Sequence, residues 1–193
     1  MTLKMISQAF IVGNGTSREP IDLNGLVGQG KIYGCNALYR TFDDYDCLVA
    51  IDDGMIKELI DNEVPRVVIP PEDERWEDAR YSPTRRRGNA GMNAMAEAIK
   101  KGASKLYCLG FDFILTGDQS VSNLFDGSDN YGPETRARRE DNFYRLKYLE
   151  WFMKDNDNVN FVFVLPKGQE FATIDADNVN GIYVDDFKKK FNC

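Results

Sequence analysis

The 193-residue chain contains no histidine. Histidine is the one side chain whose ordinary pKa lies close to neutral pH, and it supplies the commonest general base, the Ser-His catalytic pair and many zinc ligands. Any catalysis by this chain must therefore use carboxylates, tyrosines, amides or arginines.

Cysteines are few, and long hydrophobic runs are missing. Cys35, Cys47, Cys108 and Cys193 lack metal-site spacing, and the first three lie in or beside apolar runs, which predicts buried free thiols. No stretch approaches the length that spans a bilayer, and the first residues lack a signal-peptide core. We therefore expect a cytoplasmic protein without an integral membrane segment.

Acidic residues outnumber basic ones, 31 to 24, which gives a formal net charge of −7. This balance argues against a general affinity for nucleic acid or anionic membranes. The hydrophobic content of 42% is enough for one core, and we expect residues 1–193 to form a single domain.

Short apolar runs alternate with segments of helical period, which predicts an α/β domain with a mainly parallel sheet flanked by helices. The predicted strands cover 8–13, 31–35, 47–51, 66–69, 105–110 and 160–165, with a possible seventh at 181–184. The predicted helices cover 37–42, 55–62, 91–101 and 136–154. In the last helix the residues at helical spacing are predicted core positions: Phe143, Leu146, Leu149 and Phe152 or Met153.

Two polar insertions, 70–89 and 116–134, interrupt this pattern. Long loops in compact domains are often functional, and the second is predicted to be a lid over the site. The basic run 188–190 near the end of the chain is interpreted as a solvated helix end.

A buried strand runs directly into a glycine-rich turn at Gly13-Asn14-Gly15. Glycines adopt backbone angles that other residues avoid, and their bare amides allow an anion to come close, so the turn is suited to a phosphate. A plain turn at a strand end explains the same residues.

Polar residues follow the other predicted strands, at the edge where ligands of open parallel sheets bind. Asn36 offers an amide suited to a base edge or a sugar hydroxyl, and it equally suits a turn cap. Asp52 and Asp53 suit Mg²⁺ bound with a substrate phosphate, although capping of the following helix is the favoured interpretation. Asp112 follows the predicted strand 105–110.

A second cluster, Arg85-Arg86-Arg87-Gly88-Asn89-Ala90-Gly91, stands directly before a predicted helix. A helix N-terminus presents free amides and a partial positive charge, and Arg87 and its neighbours would add bidentate donors for an anion. A solvated basic loop with Asn89 as the helix cap is the alternative.

The two clusters together resemble the two sequence motifs of sialyltransferases. The first long motif is similar to residues 11–15 with Ile21-Asp22 and Cys35-Asn36, and the second, short motif is similar to residues 88–91 with Leu106 to Asp112. The order of the motifs and the ending Gly-Phe-Asp agree with the bacterial enzymes and, more loosely, with the animal ones. The resemblance covers roughly residues 9–112.

This resemblance implies a Rossmann-like sheet that binds a cytidine monophosphate sugar without a metal or other cofactor, and a glycan acceptor as second substrate. Nucleotide binding is implied for the positions Gly13, Asn14, Gly15, Asn36, Arg87, Asn89, Ala90, Gly91 and Asp112. Among these, Asn14 and Asn36 would contact the phosphate and ribose, and Asp112 would organise the end of its strand. The family usually has Ser or Thr at the positions of Asn89 and Ala90.

The resemblance also implies a histidine base in the late loop, where this chain has Asp129-Asn130-Tyr131-Gly132 with Asn130 at the histidine position. An amide is no general base near neutral pH. Tyr131 is suited to donate a hydrogen bond to the departing phosphate, and Asp129 or Glu134 is the predicted catalytic base.

Two other functions fit the sequence. A non-catalytic nucleotide or nucleotide-sugar binding protein would keep the pocket without the base. A Mg²⁺-dependent phosphotransferase is suggested by a more distant resemblance of the Gly-Asn-Gly turn to archaeal pterin diphosphokinases, with Asp52 and Asp53 as metal ligands. A bare domain without anchor or stem suggests a bacterial or phage version of the family, and Trp76 or Trp151 could mark a homo-oligomer interface.

Overall fold

A computed structural model of the protein describes residues 7–72, 89–117, 123–136 and 138–193. Within them, seven strands form one sheet in the order β4-β3-β2-β1-β5-β6-β7, and every neighbouring pair is parallel. The strands are β1 (Gln8–Val12), β2 (Lys31–Cys35), β3 (Cys47–Val49), β4 (Val67–Val68), β5 (Lys105–Leu109), β6 (Asn160–Leu165) and β7 (Val179–Tyr183).

Helices cover both faces of this sheet, which explains the continuous apolar runs of the central strands. They are α1 (Asp53–Asp61), α2 (Ala90–Lys100), α3 (Arg139–Asp155) and α4 (Val184–Phe191). One buried cluster joins α2 and α3 to side chains such as Ile11 and Cys108, and the other joins α1 and α4 to Phe10 and Tyr107. The predicted Rossmann-like α/β architecture is confirmed.

All seven predicted strands are present, and three helices lie close to their predicted bounds. The predicted helix 37–42 is instead a 3-10 turn, Asn36–Arg40. The predicted helix 136–154 begins at Arg139, since Pro133–Thr135 forms a separate 3-10 turn.

The predicted core stripe of α3 is wrong at its first position. Phe143 is 64% exposed, whereas Leu149, Phe152 and Met153 are buried. The buried polar residue Asn142 occupies the inward position at that turn of the helix, and Phe143, one residue later, points about 100° away from it.

Two smaller predictions are confirmed. Cys35, Cys47 and Cys108 are buried free thiols, and the basic run 188–190 forms the last turn of α4. No helix among the described residues is long and apolar enough to cross a membrane.

The sheet reverses its direction of growth at β1, since β2 lies on one side of it and β5 on the other. In open parallel sheets the crevice beyond the carboxyl ends of the strands at such a point is where ligands bind. The segments that follow β1, β2 and β5 meet at this edge. Most of the residues predicted for the site belong to these segments.

Candidate functional site

The glycine turn after β1 is packed tightly against the end of β5. The Gly13 amide donates to the Leu109 carbonyl at 2.8 Å, and the Gly15 amide donates to the Gly110 carbonyl at 3.0 Å. A Cβ on Gly13 would lie 2.7 Å from the Gly110 oxygen, so only glycine allows this approach. The turn therefore needs its glycines for strand packing, and these two amides are already used within the sheet.

Asp112 joins the same turn to the end of β5. This carboxylate is 4% exposed and accepts hydrogen bonds from the Ser17 amide at 3.0 Å, from the Ser17 hydroxyl and from the Thr16 hydroxyl at 3.4 Å. Burial raises the pKa of Asp112, and the hydrogen bonds from Ser17 oppose that shift. These hydrogen bonds tie the segment after β5 to the turn after β1.

Arg18 is a buried cation beneath this turn. It is 6% exposed, its Nε donates to the Gly13 carbonyl at 2.7 Å, and its Nη2 has no hydrogen-bond partner within the described part of the chain. Burial lowers the pKa of Arg18, and the charge of Asp112 opposes that shift. Arg18 was not predicted from the sequence, because a single arginine three residues after Gly15 forms no recognisable motif.

Asn14 and Asn36 lie side by side beyond the ends of β1 and β2. The Asn14 side-chain amide donates to the Cys35 carbonyl at 3.1 Å, and that of Asn36 lies 3.5 Å from an Asp52 carboxylate oxygen. The Oδ1 atoms of both asparagines are buried and accept no hydrogen bond from the described residues. Because a buried acceptor without a donor is costly, each oxygen is a candidate contact for a ligand.

Tyr131 reaches the two asparagines from the late loop. Its hydroxyl lies 3.5 Å from the Asn14 Nδ2, and it also receives hydrogen bonds from the Asn36 side chain and the Ala37 backbone amide. Burial dominates and raises the pKa of Tyr131 to about 12. The structure thus brings a residue predicted for the leaving-group step into contact with two residues predicted for nucleotide binding.

Residues 123–136, which include residues 123–134 of the predicted lid, are seated on the sheet edge, and we call them the Tyr131 loop. The Leu124 amide donates to the Asn14 carbonyl at 2.9 Å, and the Phe125 ring is buried. Asp129 and Glu134, the predicted bases, are exposed on this loop. Residues 118–122 of the predicted lid lie outside the described residues.

The start of α2 lies against the same edge. Asn89 caps the helix by accepting a hydrogen bond from the Met92 amide at 3.0 Å, as in the capping alternative. Ala90 and Gly91 are buried, and a Cβ on Gly91 would lie 2.9 Å from the Phe111 ring that follows β5. Arg87, also predicted to bind the nucleotide, lies outside the described residues.

Asp52 and Asp53, the ligands of the magnesium alternative, stand at the start of α1. Asp52 occupies the N-cap position without a side-chain capping bond. Asp53 lies in the first turn, where a negative charge interacts favourably with the helix dipole. Among the described residues, no group of three or more His, Cys, Asp or Glu side chains is placed to bind a metal ion.

Comparisons with known proteins give a similarity of structure and no match of sequence. No family model matches the chain, and no curated protein matches it significantly. The chain is similar to the solved structure of the sialyltransferase CstII from Campylobacter jejuni, which was determined in complex with a substrate analogue, CMP-3FNeuAc. The two are 14% identical over 97% of this chain and 99% of that one, with a TM-score of 0.49.

Proposed function

We propose that this protein is a glycosyltransferase of sialyltransferase type, which moves a sugar from a cytidine nucleotide to a glycan acceptor. The observation that carries the proposal is that Asn14 and Asn36, whose side-chain amides both contact the Tyr131 hydroxyl, each keep a buried amide oxygen without a partner among the described residues. The resemblance of the sequence motifs to those of sialyltransferases supports a cytidine nucleotide as the donor, and the site has groups that suit it.

The two amide oxygens suit a ligand that presents hydrogen-bond donors, as the hydroxyls of a ribose do. Both acceptors belong to residues within two positions of the carboxyl ends of β1 and β2, so they lie at the crevice where sheets of this topology bind nucleotides. A bound nucleotide would satisfy oxygens that the described residues leave without a donor.

Tyr131 would support departure of the nucleotide. Its pKa of about 12 keeps the phenol protonated near neutral pH, so it acts as a hydrogen-bond donor and not as a base. A donor aimed at a phosphate oxygen stabilises the negative charge that develops as the sugar leaves.

Asp129 or Glu134 would take the proton from the acceptor hydroxyl. Both carboxylates lie on the Tyr131 loop and are exposed, which leaves them accessible to an acceptor that approaches from solvent. The proton needs to move only as the new bond to the sugar forms, and a positioned carboxylate is able to accept it at that moment.

A non-catalytic nucleotide-sugar binding protein is the second candidate, and the fate of Asn130 favours it. The position where the family resemblance implies a histidine carries an amide, and that amide donates to Glu58 at 2.6 Å. The side chain at this position is therefore used in a contact within the protein.

The nucleotide is tested by the thermal stability of the purified protein with cytidine, uridine, guanosine and adenosine nucleotides, with and without Mg²⁺. We expect cytidine monophosphate to raise the melting temperature independently of Mg²⁺, because a ligand stabilises the state that binds it. A shift seen only with Mg²⁺ and lost in Asp52→Asn would instead support the phosphotransferase alternative.

Transfer is tested by release of cytidine monophosphate from its sugar conjugate in the presence of a panel of glycans. We expect Asp129→Asn or Glu134→Gln to lower the rate by about 100-fold or more, in line with the contribution of a general base. Tight binding of the conjugate without turnover on any glycan would favour the binding protein, and full activity in the doubly substituted variant would refute both base assignments.

A further inference from the structure

Arg40 and Glu58 form a half-buried ion pair beside the candidate site. Arg40 Nη2 lies 2.6 Å from Glu58 Oε1, and the two side chains are 20% and 13% exposed. The Tyr39 hydroxyl also donates to Glu58 at 2.6 Å. These hydrogen bonds lower the pKa of Glu58 despite its burial, so the carboxylate is charged at neutral pH.

This ion pair is hydrogen-bonded to three consecutive residues of the Tyr131 loop. Arg40 donates to the Ser128 hydroxyl at 2.7 Å and to the Asp129 carbonyl at 2.9 Å. Asn130 donates to the second oxygen of Glu58 at 2.6 Å. All three contacts fall immediately before Tyr131.

The Arg40 guanidinium also lies over the aromatic rings that anchor the loop. Its central carbon is 5.8 Å from the ring centre of Phe125 and 5.8 Å from that of Tyr131, and the two rings lie 5.8 Å apart. A cation at this distance from two aromatic faces adds attraction to the hydrogen bonds.

The backbone around Asn130 is shaped for this contact. Asn130 has φ of 63°, a left-handed conformation that asparagine tolerates better than most residues. Gly54, in the first turn of α1, leaves the space, since a Cβ there would lie 2.4 Å from the Asn130 side-chain oxygen.

The 3-10 turn Asn36–Arg40 connects the ion pair to the candidate nucleotide site. Asn36 begins this turn and Arg40 ends it, while Glu58 lies on α1, whose N-cap residue Asp52 lies against Asn36. The groups that fix the Tyr131 loop therefore belong to the elements that present Asn36.

We propose that Arg40 and Glu58 are positioning residues that seat Tyr131 on Asn14 and Asn36. The pair fixes residues 128–130, and this sets the Tyr131 hydroxyl over the two asparagines. If the protein is a transferase, as proposed, the pair would also control the step in which the nucleotide leaves. The placement of Tyr131 by the pair does not depend on the proposed function.

The test is a graded series at Asn130 in the full chain. Asn130→Gly removes the bond to Glu58 and keeps the left-handed backbone, whereas Asn130→Asp places a second carboxylate against Glu58. Hydrogen exchange of the peptide that covers 123–136 reports loop opening through the amides of Leu124, Ser128 and Tyr131, which are hydrogen-bonded in the seated loop.

We expect protection of this peptide to fall slightly in Asn130→Gly and by about tenfold or more in Asn130→Asp. In Asn130→Asp, protection corrected for intrinsic exchange recovers as the pH falls toward about 5, because two adjacent carboxylates then share a proton. Among the described residues, Arg40 and Tyr39 are the other ionisable groups that act on Glu58, and neither titrates in that range.

Asn24→Asp is the matched control, since the Asn24 amide donates to the exposed Asp22 carboxylate at 2.9 Å, away from the loop. Unchanged protection in a folded Asn130→Asp variant would overturn the proposal, as would equal loss in the control. Where sugar transfer is measurable, we expect Asn130→Asp to lower kcat by a larger factor than it lowers the affinity for the nucleotide. Loss of protection without transfer by any form of the protein would support the seating and refute the proposed function.

Discussion

Two junctions between strands meet at the carboxyl edge of the sheet, the β1–β5 seam and the β1–β2 seam. They differ in whether their polar atoms have hydrogen-bond partners. At the β1–β5 seam the amides of Gly13 and Gly15 and the carboxylate of Asp112 all have partners inside the protein. At the β1–β2 seam the side-chain oxygens of Asn14 and Asn36 are buried without a donor among the described residues.

The difference separates structure from function along one short turn. The paired groups of Gly13, Gly15 and Asp112 have nothing to offer a ligand, and they stabilise the close packing of β1 on β5. A seam with unpaired acceptors is less stable than it could be, and such groups are typical of binding sites. The glycines and the asparagine of Gly13-Asn14-Gly15 therefore belong to different seams.

Gly13→Ala should give the largest effect, and it should act on stability. The added Cβ would lie 2.7 Å from the Gly110 backbone oxygen, so β5 must shift. We expect a loss of about 2–3 kcal/mol in unfolding free energy and a melting temperature lower by roughly 4–12 °C, measured by calorimetry.

Gly117→Ala is the control for this substitution. A Cβ there would find its nearest neighbour, a side-chain oxygen of Gln169, at 3.8 Å, which is an ordinary contact. Equal melting temperatures for both variants would show that the β1–β5 seam is not closely packed.

The sequence predicted the fold and the edge at which the candidate residues gather. Apolar runs identified all seven strands, and the parallel sheet followed from their alternation with helices. The physical reason for the glycines was not visible, because the strand that fills their space, β5, lies about 95 residues further along the chain. Free amides were predicted where the structure has paired ones.

Residues that act through distant contacts were also beyond the sequence. Arg40 and Glu58 look like ordinary surface charges until the chain folds Ser128 to Asn130 against them. The exposed Phe143 shows the converse error, since helical spacing identifies a stripe but does not fix its exact orientation. Single residues at a turn, such as Arg18, carry too little pattern to be recognised.

Asn36→Gly should give an intermediate effect, and it should act on binding. Asn36 has φ of 52°, which glycine adopts without strain, so we expect the unfolding free energy to fall by only about 1 kcal/mol, through loss of the side-chain contacts with Asp52 and Tyr131. Loss of the Asn36 side-chain oxygen should lower the affinity for cytidine monophosphate by about tenfold, measured by calorimetry. A loss of stability with unchanged affinity would reverse the assignment of this seam.

The smallest effect should appear in the pH dependence of stability, where two carboxylates are expected to act in opposite directions. Hydrogen bonds from Arg40 lower the pKa of Glu58 from its ordinary 4.5, so its contribution is present above that pH and is lost as pH falls through the folded pKa. Burial raises the pKa of Asp112 from its ordinary 3.8, so its contribution is complete below that pH and declines as pH rises through the folded pKa.

Glu58→Gln and Asp112→Asn test these signs when each is compared with the unsubstituted protein by urea unfolding between pH 3 and 7. The stability difference caused by Glu58→Gln should grow as pH rises, because the charged carboxylate is the form that Arg40 and Asn130 bind. The difference caused by Asp112→Asn should shrink over the same direction, because burial penalises the charge that the variant lacks. Parallel trends would mean that the Ser17 hydrogen bonds outweigh burial at Asp112, and the β1–β5 seam would then be held by its charge as the Tyr131 loop is by Glu58.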